Sequence, residues 1–409
     1  MRRIDCDRAA PCYGMPRLVN PTAPRARVLI SNASSDVAVG LAGQLHRAGF
    51  EIAAMDSRSL PLGMHSRYLK SHHTLHSGST SDYASQVLQL LQRLAPCTFL
   101  PIGSTAVRFA AKHLAAFGED GETLVPSPAA FAAADDKQIC ARELGSLGIA
   151  QPRSYSRDQA VEVLAASGET KTLVVKPQAN MGAAQGVRFV QSVAELELAL
   201  SERPEHFGKR AIQEFIPGGP SSMKAAVLLF SQDSRLSAAF TMKKLRHWPA
   251  SGGASVVCES TAEAELIDAV LPFFEQLHWR GPAEVEFKFD ERDGRHKVIE
   301  INPRFPGYAR FLGHCGLDIG TRTVQLAQGM DVPHAPFPAY RVGQRYLNPG
   351  LFLRSLSEHW KQAGPRTALT DGIRDARRSA GFVGSLLGDP LPLLGRTIFD
   401  WGRLSRVKF

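Results

Sequence analysis

Lys297-Val298-Ile299-Glu300-Ile301-Asn302-Pro303-Arg304 is an apolar ribbon carrying an acid, an amide and a cation at alternate positions. Side chains two apart on a strand share a face, so Glu300, Asn302 and Arg304 project together. Upstream, Ala283-Glu284-Val285-Glu286-Phe287-Lys288-Phe289 repeats the alternation, and Asp290-Glu291-Arg292-Asp293-Gly294-Arg295 between them reads as a hairpin loop. Antiparallel pairing of these strands sets Glu286, Glu300 and Asn302 side by side, with Arg304 close. Carboxylates packed this closely need a cation. An all-oxygen cluster on rigid strands suits magnesium, which keeps waters and shares phosphate oxygens. A polar strand face turned to solvent is the plainer alternative. The second carboxylate strand and the terminal arginine favour a metal–phosphate site.

This pair of strands resembles the metal-binding strands of ATP-grasp enzymes, the superfamily of carbamoyl-phosphate synthetase, biotin carboxylase and the amino-acid ligases. Upstream segments extend the resemblance. Ser127-Pro128 opens an alanine-rich stretch ending in Asp136-Lys137, followed by Gly148-Ile149. In the family such an Asp-Lys pair opens a helix and the lysine contacts ATP phosphate, which is the role implied for Lys137. Alone, a helical lysine is a solvated charge. Leu173-Val174-Val175-Lys176-Pro177 reads as a short buried strand ending in a cation, and a loop with Gly182 and Gly186 follows. This is similar to the family's nucleotide lysine and glycine-rich flap. Glycines let backbone amides approach phosphate oxygens, and a lysine adds a point charge.

Ala211 to Gly219 resembles the family hinge, which implies Gln213, Glu214, Phe215 and Ile216 at the adenine. The chain departs from the family after Pro217-Gly218, where relatives offer acids near the ribose and this sequence has Pro220, Ser221, Ser222, Met223 and Lys224. Arg246, with the small-residue loop Ser251 to Ser255, resembles the part of amino-acid ligases near the acceptor carboxylate or acyl phosphate. The plainer reading is a solvent loop with incidental glycines.

The rest of the chain agrees with a multidomain enzyme. At 409 residues it exceeds what one core serves. Residues 1–25, rich in Arg and Pro without an apolar core, read as a disordered leader. From Arg27, strand–helix–strand order implies a parallel sheet covered by helices, with later strands at Phe99–Gly103 and Thr123–Pro126. The turn after Ile30 lacks a dinucleotide glycine fingerprint. The expected architecture is α/β and α+β: a Rossmann-like domain over 26–133, an ATP-grasp small lobe with its glycine loop over 134–208, a large lobe with the metal site over 209–335, and a basic, mostly helical tail over 336–409. Six scattered cysteines without a Cys-x-x-Cys pair argue against zinc or a disulfide framework and fit a reducing cytoplasm.

Charge is uneven. From Tyr340 to Phe409 there are twelve Lys and Arg against five Asp and Glu, a surplus of +7 within a chain total of +9. Apolar groups intersperse these charges. Two readings stand: a peripheral contact with anionic membrane or an acidic carrier through 340–409, or a basic-faced subdomain packed on the enzyme. Few aromatics interleave with the charges, so nucleic acid is not an expected partner. The expected setting is cytoplasmic, and a homodimer fits such a chain.

The resemblance implies an ATP-dependent carboxylate–amine (or carboxylate–thiol) ligase. The carboxylate attacks the γ-phosphate of ATP bound with Mg2+ (or Mn2+), and the acyl phosphate is then consumed by the amine. Glu286, Glu300 and Asn302 would hold the metal, Lys137 and Lys176 the phosphates, and Arg304 the charge on the transferring group. An ATP-grasp carboxylase or phosphotransferase, and a nucleotide-binding scaffold without catalysis, are the alternatives.

Overall fold

The protein, in a computed structural model, is described over residues 26–58, 65–75, 80–117, 121–166, 171–179, 186–202, 208–249 and 252–392. The expected leader, Gly182, Ser251 and the last part of the tail (393–409) lie outside these residues. Three sheets organise the chain.

The first is parallel, in the order β3-β2-β1-β4-β5, built from β1 (Arg27–Ile30), β2 (Glu51–Asp56), β3 (Ser71–Thr74), β4 (Cys97–Leu100) and β5 (Gly121–Glu122). Val28 and Ile30 bury against the helix Asp36–Arg47, while Leu29 faces Val87, Leu90 and Val107 on the other side. Covering both faces explains why the strand is apolar throughout rather than alternating. The strand expected at 123–126 pairs only just before that point. Leu124 instead packs so close to Gly281 that a Cβ there would meet the Leu124 carbonyl at 2.5 Å.

The second sheet is antiparallel and four-stranded, in the order β6-β9-β7-β8, from β6 (Ser154–Tyr155), β7 (Leu173–Pro177), β8 (Arg188–Val190) and β9 (Arg210–Glu214). The third is six-stranded, β14-β13-β10-β11-β12-β15. It comprises β10 (Met223–Phe230), β11 (Leu236–Trp248), β12 (Ala254–Thr261), β13 (Gly281–Asp290), β14 (Arg295–Asn302) and β15 (Arg345–Leu347). Alternation along β10 splits its core: Ala225, Val227 and Leu229 face one side, Ala226, Leu228 and Phe230 the other. β9 sits inside the four-stranded sheet, whereas Cys140 and Leu144 of the helix Lys137–Ser146 bury against the six-stranded one.

The parallel-sheet domain is anchored to the large lobe by one buried amide. Gln44 Nε2 donates to the Ala309 carbonyl at 3.1 Å, and its Oε1 accepts from Gly320 N at 2.9 Å. Both ends of the side chain are satisfied, so its burial carries no desolvation penalty left unmet. The C-terminal helices Pro349–Ala363, Pro365–Arg378 and Ala380–Leu386 pack on the same body. Phe382 enters the main core, and Asp389 accepts from Ser66 Oγ at 2.5 Å. Among the described residues no helix is long and apolar enough to cross a membrane.

Candidate functional site

Two lysines from distant segments are brought together by one acid. The helix Pro128–Asp135 starts at an N-cap Ser127 with Pro128 in its first turn and ends at Asp136. Asp136 then caps the next helix, accepting from Gln138 N at 2.9 Å and Ile139 N at 3.1 Å. Its other carboxylate oxygen accepts from Gln178 Nε2 at 2.7 Å, and Lys137 N donates to the Gln178 carbonyl at 3.1 Å. Gln178 follows β7, so Lys137 is clamped beside Lys176. The Lys137 ammonium lies 3.1 Å from Glu300 Oε1, and Lys176 Nζ donates to the Ile299 carbonyl at 3.1 Å.

The carboxylate strands pair as their alternation requires: Glu286 opposite Glu300, and Glu284 opposite Asn302. Directly opposed side chains on an antiparallel pair have Cβ atoms about 4.5–5.5 Å apart. The register shifts between Glu286 and Phe287, leaving Ile299 as the extra residue. This bulge turns Ile299, Glu300 and Asn302 toward the cavity while Val298 and Ile301 stay in the core. Simple alternation would have placed Val298 with the polar residues.

Glu284 is buried behind Asn302. It accepts from Asn302 Nδ2 at 3.2 Å, and Asn302 Oδ1 in turn accepts from Arg304 at 3.0 Å. Burial, then the neighbouring Glu286, pushes the Glu284 carboxyl up to about 7. Glu286 is met by Lys244 Nζ at 2.9 Å. Burial alone would lower this almost fully enclosed ammonium. The charge and hydrogen bond of Glu286 outweigh it and hold Lys244 above the usual lysine range. Glu300 behaves oppositely to Glu284: burial raises it, but Lys137 and Lys176 more than offset this and keep it below its ordinary value. Lys176, enclosed and beside the Lys137 charge, falls to about 8.

All of these groups line one cavity of about 730 Å³ between the two antiparallel sheets. Its other end is apolar. Val174, Phe189, Phe215, Ile216 and Met223 line it, with Phe189 edge-on to Phe215 at 5.6 Å and the Lys288 ammonium 5.1 Å from the Phe215 ring. Gln213 and Glu214 also reach it, although the Glu214 carboxylate is held at 2.6 Å by Arg292. Gly186, at the end of the flap, adopts φ 70° and its carbonyl accepts from Arg210 at 2.8 Å. Lys224 turns away to the opposite sheet face, 2.6 Å from Glu263.

Arg246 is the residue not brought in. The register of β11 on β12 slips between Lys244 and Arg246, skipping Leu245, and again before His247. As a result Lys244 and His247 both line the cavity, although their spacing is odd. Arg246 points instead to Asp375 on the helix Pro365–Arg378, 3.0 Å away. The loop that follows reaches the cavity through Gly252, Gly253 and Ser255. Gly253 is required there, since a Cβ would lie 2.3 Å from the Trp248 carbonyl.

Sequence reasoning overlooked Lys244, His247, Glu284, Lys288 and Tyr308, all of which line the cavity. Glu284 and Lys288 carried a signal, being two residues either side of Glu286. Lys244 and His247 depend on bulges that leave no such trace. The donor set at the acidic strands is two carboxylates and one amide oxygen. Among the described residues no group of three or more His, Cys, Asp and Glu is disposed to hold a metal. The set therefore fits an ion content with few protein oxygens and shared phosphates, as magnesium is, and not a dedicated protein cage. The four described cysteines, Cys97, Cys140, Cys258 and Cys315, are buried and free, with thiols pushed up by burial.

Residues 134–308 match the family model of the ATP-grasp domain. The chain is 30% identical over 114 residues to the D-aspartate ligase of Enterococcus faecium, a stretch spanning 26% of each protein. Among solved structures it resembles the biotin carboxylase domain of Hydrogenobacter thermophilus 2-oxoglutarate carboxylase, in complex with MgADP, ADP and bicarbonate. The TM-score is 0.60 at 16% identity, covering 78% of this chain and 73% of that one. It also resembles N5-carboxyaminoimidazole synthetase from Staphylococcus aureus, with TM-score 0.59 and 12% identity over 82% and 86% of the two chains.

Proposed function

We propose that the ATP-grasp domain of residues 134–308 makes this chain an ATP-dependent ligase, joining a carboxylate to an amine through an acyl phosphate. One observation carries the reading: Lys137, Lys176, Lys244 and Arg304 meet Glu286, Glu300 and Asn302 in a single cavity whose other end is apolar and aromatic. The aromatic end suits a purine ring and the cationic end its phosphates. The likeness to a D-aspartate ligase supports amide formation over carboxylation.

In this mechanism a carboxylate oxygen of the substrate attacks the γ-phosphorus of ATP. The bond to the bridging oxygen breaks, and ADP leaves with the electron pair. The amine lone pair then attacks the acyl carbon, the carbon–oxygen bond to phosphate breaks, and the nitrogen releases a proton to water. Lys137 and Lys176 neutralise phosphate oxygens, while Arg304, oriented by Asn302, faces the charge on the transferring group. Lys244 stands over Glu286 on the same side. Glu286, Glu300 and Asn302 would hold magnesium, or manganese with the same donors, which when bound supplies charge neutralisation between the phosphates. Catalysis is then mostly positioning and electrostatics.

ADP release measured over a panel of carboxylic acids and amines tests this. Release that requires one acid and one amine is the expected result. Release driven by bicarbonate would favour a carboxylase, and phosphate retained on the product a phosphotransferase. Tight ATP binding without turnover of any pair would overturn the enzyme reading.

A further inference from the structure

Exposed apolar surface is concentrated in one part of the fold. Of the nine large apolar side chains exposed among the described residues, six lie between 349 and 391, which marks the C-terminal helices as a face open to a partner. Leu353 and Trp360 stand on the helix Pro349–Ala363, and Leu369 and Ile373 on the helix Pro365–Arg378. The two helices turn back on each other at Gly364 and pack closely, since a Cβ on Gly372 would lie 2.9 Å from Leu356. His359 and Asp371 join them at 3.1 Å. Their inner side is fixed by the buried Ser355 and by Asp375, which pairs with Arg246 and Arg345 of the six-stranded sheet. At about 100° per residue, the four apolar side chains stand about 120–160° around each helix axis from these inner residues. In both helices they also lie the same way round from the Leu356–Gly372 contact, which in an antiparallel pair puts both stripes on one side of the hairpin. Charge divides the same way. Asp371 and Asp375 are turned inward, while the exposed charges of the two helices, Lys361, Arg366, Arg374, Arg377 and Arg378, are all cationic. Arg374 meets Asp371 at 2.9 Å. Lys361 follows Trp360, and Arg366 and Arg377 stand three and four residues from Leu369 and Ile373, on the same side of their helix.

We infer that this outer face seats on an anionic lipid surface. The hairpin packs on the enzyme by one side and is apolar and cationic on the other, so the two readings of the basic segment describe two sides of one element. The chemistry of the face selects the occupant. Leu353, Trp360, Leu369 and Ile373 suit the boundary of the acyl region, where an indole is well placed, and the long cationic side chains at their flanks reach headgroup phosphates from the same position. A bilayer meets both demands at once and requires no pocket. An acidic protein surface matches the cations but not the apolar stripes between them. A second copy of this chain matches the stripes but sets cation against cation. The contact is independent of the ligase reading of the cavity.

The test sediments the full chain with vesicles of equal parts phosphatidylglycerol and phosphatidylcholine, and with vesicles of phosphatidylcholine alone. The expected result is binding to the first and at least about tenfold weaker binding to the second. Raising salt from about 0.1 M to about 1 M shortens the screening length from about 10 Å to about 3 Å and should release most of the bound protein. Trp360→Ser combined with Leu369→Ser should weaken binding at least about tenfold. Arg366→Gln and Arg377→Gln should each weaken it about fivefold (about 1 kcal/mol). All four positions are exposed, so the melting temperature should stay that of the original chain, which keeps a loss of binding distinct from a loss of fold. Equal binding to the neutral vesicles, no binding to either at low salt, or variants that bind as tightly as the original would overturn the inference. Polyglutamate is the probe for an acidic protein: binding to it that depends on Trp360 and Leu369, with none to anionic vesicles, would assign the face to such a partner instead. Self-association that the double variant abolishes, while its vesicle binding persists, would assign it to a second copy.

Discussion

Lys137 and Glu300 meet at 3.1 Å, the lysine opening one helix and the glutamate standing on the edge strand of the six-stranded sheet. A cation at a helix N-terminus opposes the helix dipole, so Glu300 compensates a charge that is otherwise poorly placed. Lys244 and Glu286 form a second such pair at 2.9 Å. The site is thus self-neutralised. A metal–triphosphate would exchange both pairs, its anionic part taking the lysines and its cation the acids.

That exchange would make Glu300 indispensable to turnover. Glu300→Gln should lower ADP release by at least about a hundredfold, the scale of losing one electrostatic partner of the transition state. The melting temperature should fall as well, because Lys137 and Lys176 lose the charge that compensates them, so turnover is compared at temperatures where the variant is folded. ADP release close to that of the unaltered protein would remove Glu300 from the site.

Lys176 gives the site a pH dependence of defined sign. Its ammonium is lowered to about 8, so above that pH the empty site holds a neutral amine. Phosphate binding must then bring back a proton, and affinity for an ATP analogue should fall as pH rises from 8 toward 10. Lys176→Met should bind more weakly with a flat profile over the same range. Calorimetry in two buffers of different ionisation enthalpy should detect proton uptake at pH 9. No uptake would mean that Lys176 does not meet the phosphates.

Glu284 should govern stability rather than affinity. Its folded carboxyl titrates near 7 against an ordinary value of 4.5. The neutral form favours the fold, so its contribution is complete below pH 4.5 and is lost as pH rises through 7. Glu284→Gln lacks this loss. Thermal melts from pH 4.5 to 8 should show the unaltered protein losing ground to the variant across that window, and parallel curves would contradict the assignment.

Much of this was legible because strand alternation is a local property. Glu286, Glu300 and Asn302 share a face in the fold as their alternation implies, with Glu286 opposite Glu300 and Asn302 opposite Glu284. The Asp136–Lys137 step was legible for a similar reason, since a capping acid and the first helical residue are neighbours. Bulges were not. The extra residue at Ile299 and the slips around Arg246 arise from how β14 and β11 meet their partners, and no single strand encodes that. The basic tail marks a further limit of composition. Composition counts charges without their pairings, whereas Arg345 is engaged by Glu259 at 2.8 Å and Asp375.

Arg246 offers a direct comparison between position and composition. Its pair with Asp375 is largely buried, the two side chains being 16% and 13% exposed. Removing one member of such a pair leaves the other uncompensated at a cost of about 3–5 kcal/mol. Arg345 at 3.7 Å relieves part of it. Arg246→Ala should therefore lower the melting temperature by several degrees, yet keep its affinity for an ATP analogue at temperatures where it is folded. A variant as stable as the original but without turnover would return Arg246 to the chemistry.

The hairpin tip is tied to the nucleotide end by charge. Asp290 is fully buried and accepts from Arg292 Nε at 2.8 Å and from Lys297 Nζ at 2.6 Å. The Arg292 hydrogen bonds outweigh its burial and hold it well below the usual carboxylate range. Arg292 reaches on to Glu214 at 2.6 Å, linking the six-stranded sheet to the last residue of β9. The two ends of this relay should respond differently. Arg292 is half exposed, so Arg292→Ala should cost no more than about 1 kcal/mol of stability. It loosens Glu214 beside Phe215, leaving it Arg153 N at 3.2 Å and Lys297 at 3.8 Å, and affinity for an ATP analogue should fall severalfold. Asp290→Asn removes a buried charge that two cations share, and although Arg292 keeps Glu214 and Lys297 keeps Asp293, the lost charged hydrogen bonds should cost about 1–3 kcal/mol. Melting curves and calorimetry on the two variants separate these effects. If Arg292→Ala binds the analogue as tightly as the original protein, the contact with Glu214 is a surface pair and the aromatic end is positioned without it.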